Sequence, residues 1–116
     1  MRPESLKYLY DVLQAADVID EMCAGETYEK YAESIMLRSA VERQVGIAGE
    51  ALSQLGKLDA ETFERVPDAR QIVAFRNFLI HNYATINSRL VWGVVQNDLT
   101  NLRAAVKTML DEGEAL

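Results

Sequence analysis

One stretch of the chain gathers the groups able to do acid–base work on a phosphate: Arg76-Asn77-Phe78-Leu79-Ile80-His81-Asn82-Tyr83. Arg76, Asn77, His81, Asn82 and Tyr83 interrupt an otherwise apolar helical segment. A buried helix does not collect such groups without hydrogen-bond partners, so they form an exposed face or a site. His81 is the single histidine in the chain, so a mechanism needing two imidazoles needs two chains. Metal-free cleavage of RNA is such a mechanism. A base takes the 2′-OH proton and an acid protonates the departing 5′-oxygen, and imidazole suits both roles because its ordinary pKa lies near neutrality. A two-fold dimer with this segment at its interface would bring together two copies of His81 and two of Arg76. The arginines would then stabilise the added negative charge of a phosphorane-like transition state, and Asn77 would orient the phosphate or hold one His81 tautomer.

Spacing sets a condition on this reading. Arg76 and Tyr83 are seven apart and share a helix face, but His81 lies five from Arg76, about 140° round an ideal helix. The helix distorts near its end, the arginine stem reaches across, or a second subunit supplies the partner. The plain alternative is a helix-end histidine satisfied by a carbonyl.

The elements that position this segment are helical. Only Pro3 and Pro67 are helix-breaking prolines, and Gly25, Gly56 and Gly113 sit where helices could stop. A first helix is predicted from about Pro3 to Gly25, on the stripe Leu6, Leu9, Leu13, Ala16 and Ile19. A second begins at Glu26 or Thr27 and ends near Gly56, with a break around 32–34; its stripe is Leu37, Val41, Val45, Ala48, Leu52 and Leu55. Residues 57–66 hold one short turn begun by Asp59. Pro67 reads as the first residue of a third long helix, with Asp68 at its positive end and Ile72, Phe75 and Leu79 on its core face. Asn87 or Ser88 caps a fourth, in which Val91, Val95, Leu99, Leu102, Val106 and Met109 face inward. No stretch alternates with period two. The expectation is an all-α, up-and-down four-helix bundle with an extra short helix, one domain over residues 1–116, forming a two-fold dimer.

Composition removes other classes. A chain of 116 residues, 49% apolar, has the size and core content of one globular domain. Its apolar runs are far short of the ~20 residues that span a bilayer, and MRPESLKYLYD has no apolar segment of a signal peptide. Cys23 is alone, so neither a disulfide nor a zinc cluster is expected, and a reducing cytoplasm is the expected address. Phosphate-binding glycine loops are missing, so no nucleotide cofactor is assigned. The net charge of −6 is uneven. Residues 65–103 carry Arg65, Arg70, Arg76, Arg89 and Arg103 against Asp68 and Asp98. Arginine's planar fork suits phosphate, and the bland reading of the same five is salt-bridging on a solvated surface.

Gly46 and Gly49 lie one turn apart inside a helix, where each costs roughly 1 kcal/mol against alanine; the reading is close approach of a second helix, with partner or ligand contact the alternative. Glu50 beside them either bridges an arginine of the site or is solvated. Tyr8, Tyr10, Tyr28 and Tyr31 read as core edge or dimer packing, with base stacking the alternative, Trp92 as core or dimer interface, and Cys23 as a small buried apolar residue. The acidic group Asp17, Asp20 and Glu21 reads as a solvated helix face, and no metal is assigned.

Arg76 to His81 with Tyr83 resembles the RX4HXY motif of HepT toxins, in the HEPN superfamily of small helical ribonucleases. The resemblance covers most of the chain: Arg38–Arg43 followed by Gly49-Glu50-Ala51 resembles the family's second long helix, and Val91-Trp92 the start of its last. It implies a metal-independent endoribonuclease, the toxin of a type VII-like toxin–antitoxin pair, with motif residues of two protomers in one cleft. Arg76 and His81 match the catalytic positions, with Asn77 the polar residue following the arginine. The implied antitoxin is an MntA-type nucleotidyltransferase that AMPylates the motif tyrosine, here Tyr83, so that an anionic adenylate blocks RNA phosphate. Transfer RNA or messenger RNA is the expected substrate, with 2′,3′-cyclic phosphate ends, and a homodimer or higher oligomer the expected assembly. The alternative is a non-catalytic helical subunit that binds a minimal nucleotidyltransferase.

Overall fold

A computed structural model describes residues 1–81 and 86–115, with side chains to Gly113. The described residues are helical, without a strand, in the order α1 (Pro3–Cys23), α2 (Tyr28–Glu33), α3 (Ile35–Leu58), α4 (Ala60–Glu64), α5 (Ala69–His81), α6 (Ser88–Gly93) and α7 (Leu99–Ala115). A π-helical turn, Val94–Asp98, joins α6 to α7, so the chain runs as one helical rod from 88 to 115. The long elements α1, α3, α5 and α6–α7 make the helical bundle expected from the stripes.

Local chemistry explains most of the boundaries. Pro3 occupies the first turn of α1, where its missing N–H would have no partner anyway. The Thr27 side chain accepts from the Lys30 N–H at 3.2 Å to start α2. Ser34 ends that helix and starts the next, accepting from the Leu37 N–H at 3.1 Å. This is the break expected around 32–34. Asn87 caps α6 through Oδ1, which accepts from the N–H groups of Arg89 and Leu90 at 2.9 and 3.3 Å.

The start of α5 corrects the sequence reading. Pro67 and Asp68 lie in the turn before it, and the helix begins at Ala69. Asp68 has φ +61°, a left-handed conformation that ends the preceding turn and that short polar side chains tolerate better than most. Its carbonyl still receives the Ile72 N–H at 3.0 Å, so the aspartate stands at the threshold of the helix and not inside it.

The core forms where the stripes meet. Leu9, Ile19, Val41, Val45, Leu52, Leu55, Ile72, Leu102 and Val106 are buried. Leu6, Leu13, Leu37 and Phe75, read as stripe members, are only partly buried at its margin. The π-helical turn was not anticipated, yet it explains a detail of the last stripe. Val91, Val95 and Leu99 follow one another by four and are all buried. Two consecutive steps of four drift round an α-helix, and a wider turn keeps all three inward.

Asp59 ties three elements together. Its Oδ1 accepts from the Thr62 N–H at 3.1 Å, capping α4, while Oδ2 accepts the Thr62 and Ser5 hydroxyls at 2.6 and 2.8 Å. Ser5, on α1, is fully buried. The hydrogen bonds from Thr62 and then Ser5 hold the Asp59 carboxyl below its usual pKa. A depressed carboxylate stabilises the fold above its unfolded pKa and loses that contribution as pH falls through the folded one. Asp59→Ala is therefore expected to cost ~1 kcal/mol of unfolding free energy at neutral pH. Denaturant titrations across pH should find the difference from wild type shrinking below about pH 4.

Candidate active site on the fifth helix

α5 reaches its place because α3 lets it. A Cβ added to Gly49 would lie 2.8 Å from the Arg76 Cγ and 3.2 Å from the Ile72 carbonyl oxygen, so only glycine allows this approach. Gly46 meets nothing within 4 Å and opens onto a groove. The sequence reading of two glycines for one close approach thus holds for Gly49 and fails for Gly46.

The root of the Arg76 side chain rests on the α3 backbone at Gly49, and its head turns to polar partners. Nη2 pairs with the Glu50 carboxylate, and Nη1 donates to Asn77 Oδ1 at 3.0 Å. Glu50 in turn accepts from Gln54 Nε2 at 3.0 Å. The Gln54 hydrogen bond, with Arg76 and Lys57 nearby, holds the Glu50 carboxyl below its ordinary pKa. The solvated reading of Glu50 gives way to the ion-paired one. Asn77 bonds Arg76, so its described contact fixes the arginine.

His81 is the last residue of α5 and is exposed. Among the described residues no hydrogen bond joins it to Arg76, as the 140° separation requires. The helix carries both side chains at its C-terminal end, on different faces. Phe78 and Ile80, between them in sequence, are exposed. Asn82 and Tyr83 lie outside the described residues, so the third motif position has no structural account.

A groove of about 880 Å³ runs beside Arg76, lined by residues of α1, α3 and α5. Its apolar lining includes Val18, Ile47, Ala51 and Leu79. Its charged lining is Asp11, Glu42 and Glu50 against Arg43 and Arg76. Carboxylates outnumber arginines, so the groove alone is no cradle for a polyanion.

The arginine-rich stretch has a mostly structural explanation. Arg65 pairs with Glu112 at 3.0 Å, Arg70 with Glu64, Arg76 with Glu50, and Arg103 with Asp17 at 2.5 Å. Arg89 lies 4.0 Å over the Tyr28 ring. Acidic residues from outside the stretch thus neutralise most of its surplus, which net-charge counting along the chain does not reveal. The aromatic residues follow their bland reading in part. Tyr31 is fully buried against Trp92, centroids 5.2 Å apart, and Tyr28 meets the same indole edge-on at 6.4 Å. Tyr10 is exposed. Cys23 is buried, and burial pushes its thiol above the ordinary pKa.

The ribonuclease HepT-like family model matches residues 12–109, which takes in the three structural features that define the site: the Gly49 crossing, Arg76 and His81. The chain belongs to the HepT-like family. HepT-like relatives extend over nearly its whole length. The chain is 33% identical over 100 residues to "Putative RNase MJ1380" of Methanocaldococcus jannaschii, covering 86% of this chain and 91% of that one. It is 30% identical over 105 residues to "Putative RNase TTE0752" of Caldanaerobacter subterraneus subsp. tengcongensis, covering 90% and 93%. The "Probable ribonuclease HepT" of Thermococcus cleftensis is 26% identical over 103 residues, covering 89% and 93%. No solved structure matches the chain.

The two glycines separate cleanly in a stability measurement. Gly49→Ala must push α5 away from α3 and is expected to cost about 1–3 kcal/mol. Gly46→Ala, with open space around the new methyl, is expected to be neutral or to gain up to about 1 kcal/mol. Chemical denaturation of both variants checks this, and an equal loss in both would refute the assignment of the crossing to Gly49.

Proposed function

We propose that this HepT-like protein is a metal-independent endoribonuclease, the toxin of a type VII-like toxin–antitoxin pair, working as a two-fold dimer. The observation that carries the reading is α5 itself. One helix end holds an arginine seated by a glycine crossing and by Glu50, and an exposed histidine five residues on. Membership of a ribonuclease family supports reading that pair as catalytic.

The reaction follows from the groups present. One His81 takes the proton from a ribose 2′-OH, and the freed oxygen attacks the adjacent phosphorus. The bond from phosphorus to the 5′-oxygen breaks, and a second imidazole supplies the proton to the leaving oxygen. The products are a 2′,3′-cyclic phosphate and a 5′-OH. Each chain has one histidine, so the second imidazole is the His81 of another copy. Arg76 meets the charge that builds on the non-bridging oxygens, and Asn77 keeps its guanidinium turned toward them. Exposed Phe78 and Ile80, between these polar residues, support an interface at this end of the helix, because apolar side chains beside a polar site gain from being covered. The RNA, transfer or messenger, is selected by its shape around the cleft.

Tyr83 is the proposed control point. An MntA-type nucleotidyltransferase would transfer the adenylyl group of ATP to its hydroxyl, releasing pyrophosphate and leaving an anion two residues beyond His81. That charge repels the RNA phosphate.

Purified, unmodified protein should cleave RNA in excess EDTA, and His81→Ala should lower the rate by at least about 10²-fold. Equal cleavage by both proteins would refute the assignment of His81. Treatment with ATP and the nucleotidyltransferase should add one adenylate to the wild type and none to Tyr83→Phe, read by intact mass. No cleavage by unmodified wild type would favour the alternative, a binding subunit without catalysis.

A further inference from the structure

We infer that Glu50 is a positioning residue for Arg76, setting the guanidinium for catalysis while itself touching no substrate. The inference rests on the nuclease reading and names a residue outside the arginine–histidine–tyrosine motif.

An arginine side chain has several rotatable bonds and is expensive to order. Arg76 is held at three points along its length. The Gly49 crossing seats its Cβ and Cγ against the α3 backbone. Glu50 takes one terminal nitrogen and Asn77 the other, the latter at 3.0 Å. Glu50 is itself oriented, because Gln54 occupies its other oxygen at 3.0 Å. Gln54, Glu50, Arg76 and Asn77 form one hydrogen-bonded chain that crosses from α3 to α5. A guanidinium has five N–H donors, so two engaged in this chain leave others for phosphate oxygens.

The competing effect is repulsion, since a carboxylate beside Arg76 disfavours an incoming phosphate. The Arg76 side chain is 25% exposed and that of Glu50 47%. At the more exposed carboxylate, water and salt weaken the repulsion. The more buried arginine keeps the geometric benefit of being held. The two effects also read out differently. Loss of positioning lowers the chemical step, whereas loss of repulsion tightens RNA binding.

The test is steady-state cleavage of a defined oligoribonucleotide by full-length Glu50→Ala, Glu50→Gln, Arg76→Ala and the double variant Glu50→Ala/Arg76→Ala. The expected result is kcat about tenfold lower in Glu50→Ala with KM unchanged or lower. Glu50→Gln keeps an oxygen that can accept from Arg76 and should recover most of the rate. In the Arg76→Ala background the Glu50 change should have no further effect, because the pair acts as one unit. Glu112→Gln, which breaks the surface pair with Arg65, is the control and should match wild type. Wild-type rates in Glu50→Ala, or equal slowing with and without Arg76, would overturn the inference while leaving the nuclease reading intact. A faster Glu50→Ala would also overturn it and make the carboxylate an inhibitory counter-ion. If Glu50→Ala melts well below wild type, the undamaged fold of Glu50→Gln carries the test: a rate near the wild type's supports the inference and a rate as low as Arg76→Ala's overturns it. A wild type that cleaves no RNA removes the nuclease reading and this one with it.

Discussion

The candidate site depends on a close approach between backbone and side chain at Gly49. A methyl group there would meet Arg76 and the Ile72 carbonyl. Because it is missing, α5 lies low against α3, and the arginine emerges beside Glu50 instead of pointing past it. A small helical domain has few ways to fix a long cationic side chain on its surface. Removing one Cβ costs about 1 kcal/mol of helix propensity and gives a fixed origin for the arginine in return.

Charge in this protein is arranged in pairs across elements. Arg65, Arg70 and Arg103 are bound to carboxylates of other helices and serve the fold. Exposed pairs of this kind contribute little stability each, ~0–1 kcal/mol. Their consequence is electrostatic: among the described residues these arginines are matched by carboxylates instead of standing as unpaired positive charge. For the proposed nuclease, a polyanionic substrate would then be drawn in locally, at the end of α5, with recognition by shape weighing more than charge.

Much of this was legible in the sequence, and the reasons are physical. Helical stripes are a direct record of burial, so Val41, Val45, Leu52 and Leu55 could be placed before any coordinates. Caps are equally local: Thr27, Ser34, Asp59 and Asn87 each act on backbone within three residues. The start of α5 was misread because Pro67 fits a helix's first turn as well as the turn before it, and only the left-handed Asp68 decides between them. The π-helical turn was missed although its stripe of successive fours was present. In the site, Arg76 and His81 stood out by type and spacing. Glu50 was visible as a candidate, but its partner lies 26 residues away in the chain, and pairing at that separation is set by how two helices cross. Of the two readings of the arginines in 65–103, salt-bridging holds for most, and its partners Glu50, Glu112 and Asp17 come from outside the stretch.

In the proposed reaction the 2′-oxygen of the RNA itself is the nucleophile, handled by imidazole and guanidinium without a metal. The most direct measurement is the chemistry of the cut ends, by mass spectrometry in EDTA, on an oligoribonucleotide and on the same oligomer with a 2′-deoxy sugar at the cleaved position. A 2′,3′-cyclic phosphate and a 5′-OH are expected from the first and no cleavage of the second. A 3′-OH with a 5′-phosphate, or cleavage of the deoxy-substituted oligomer, would contradict it.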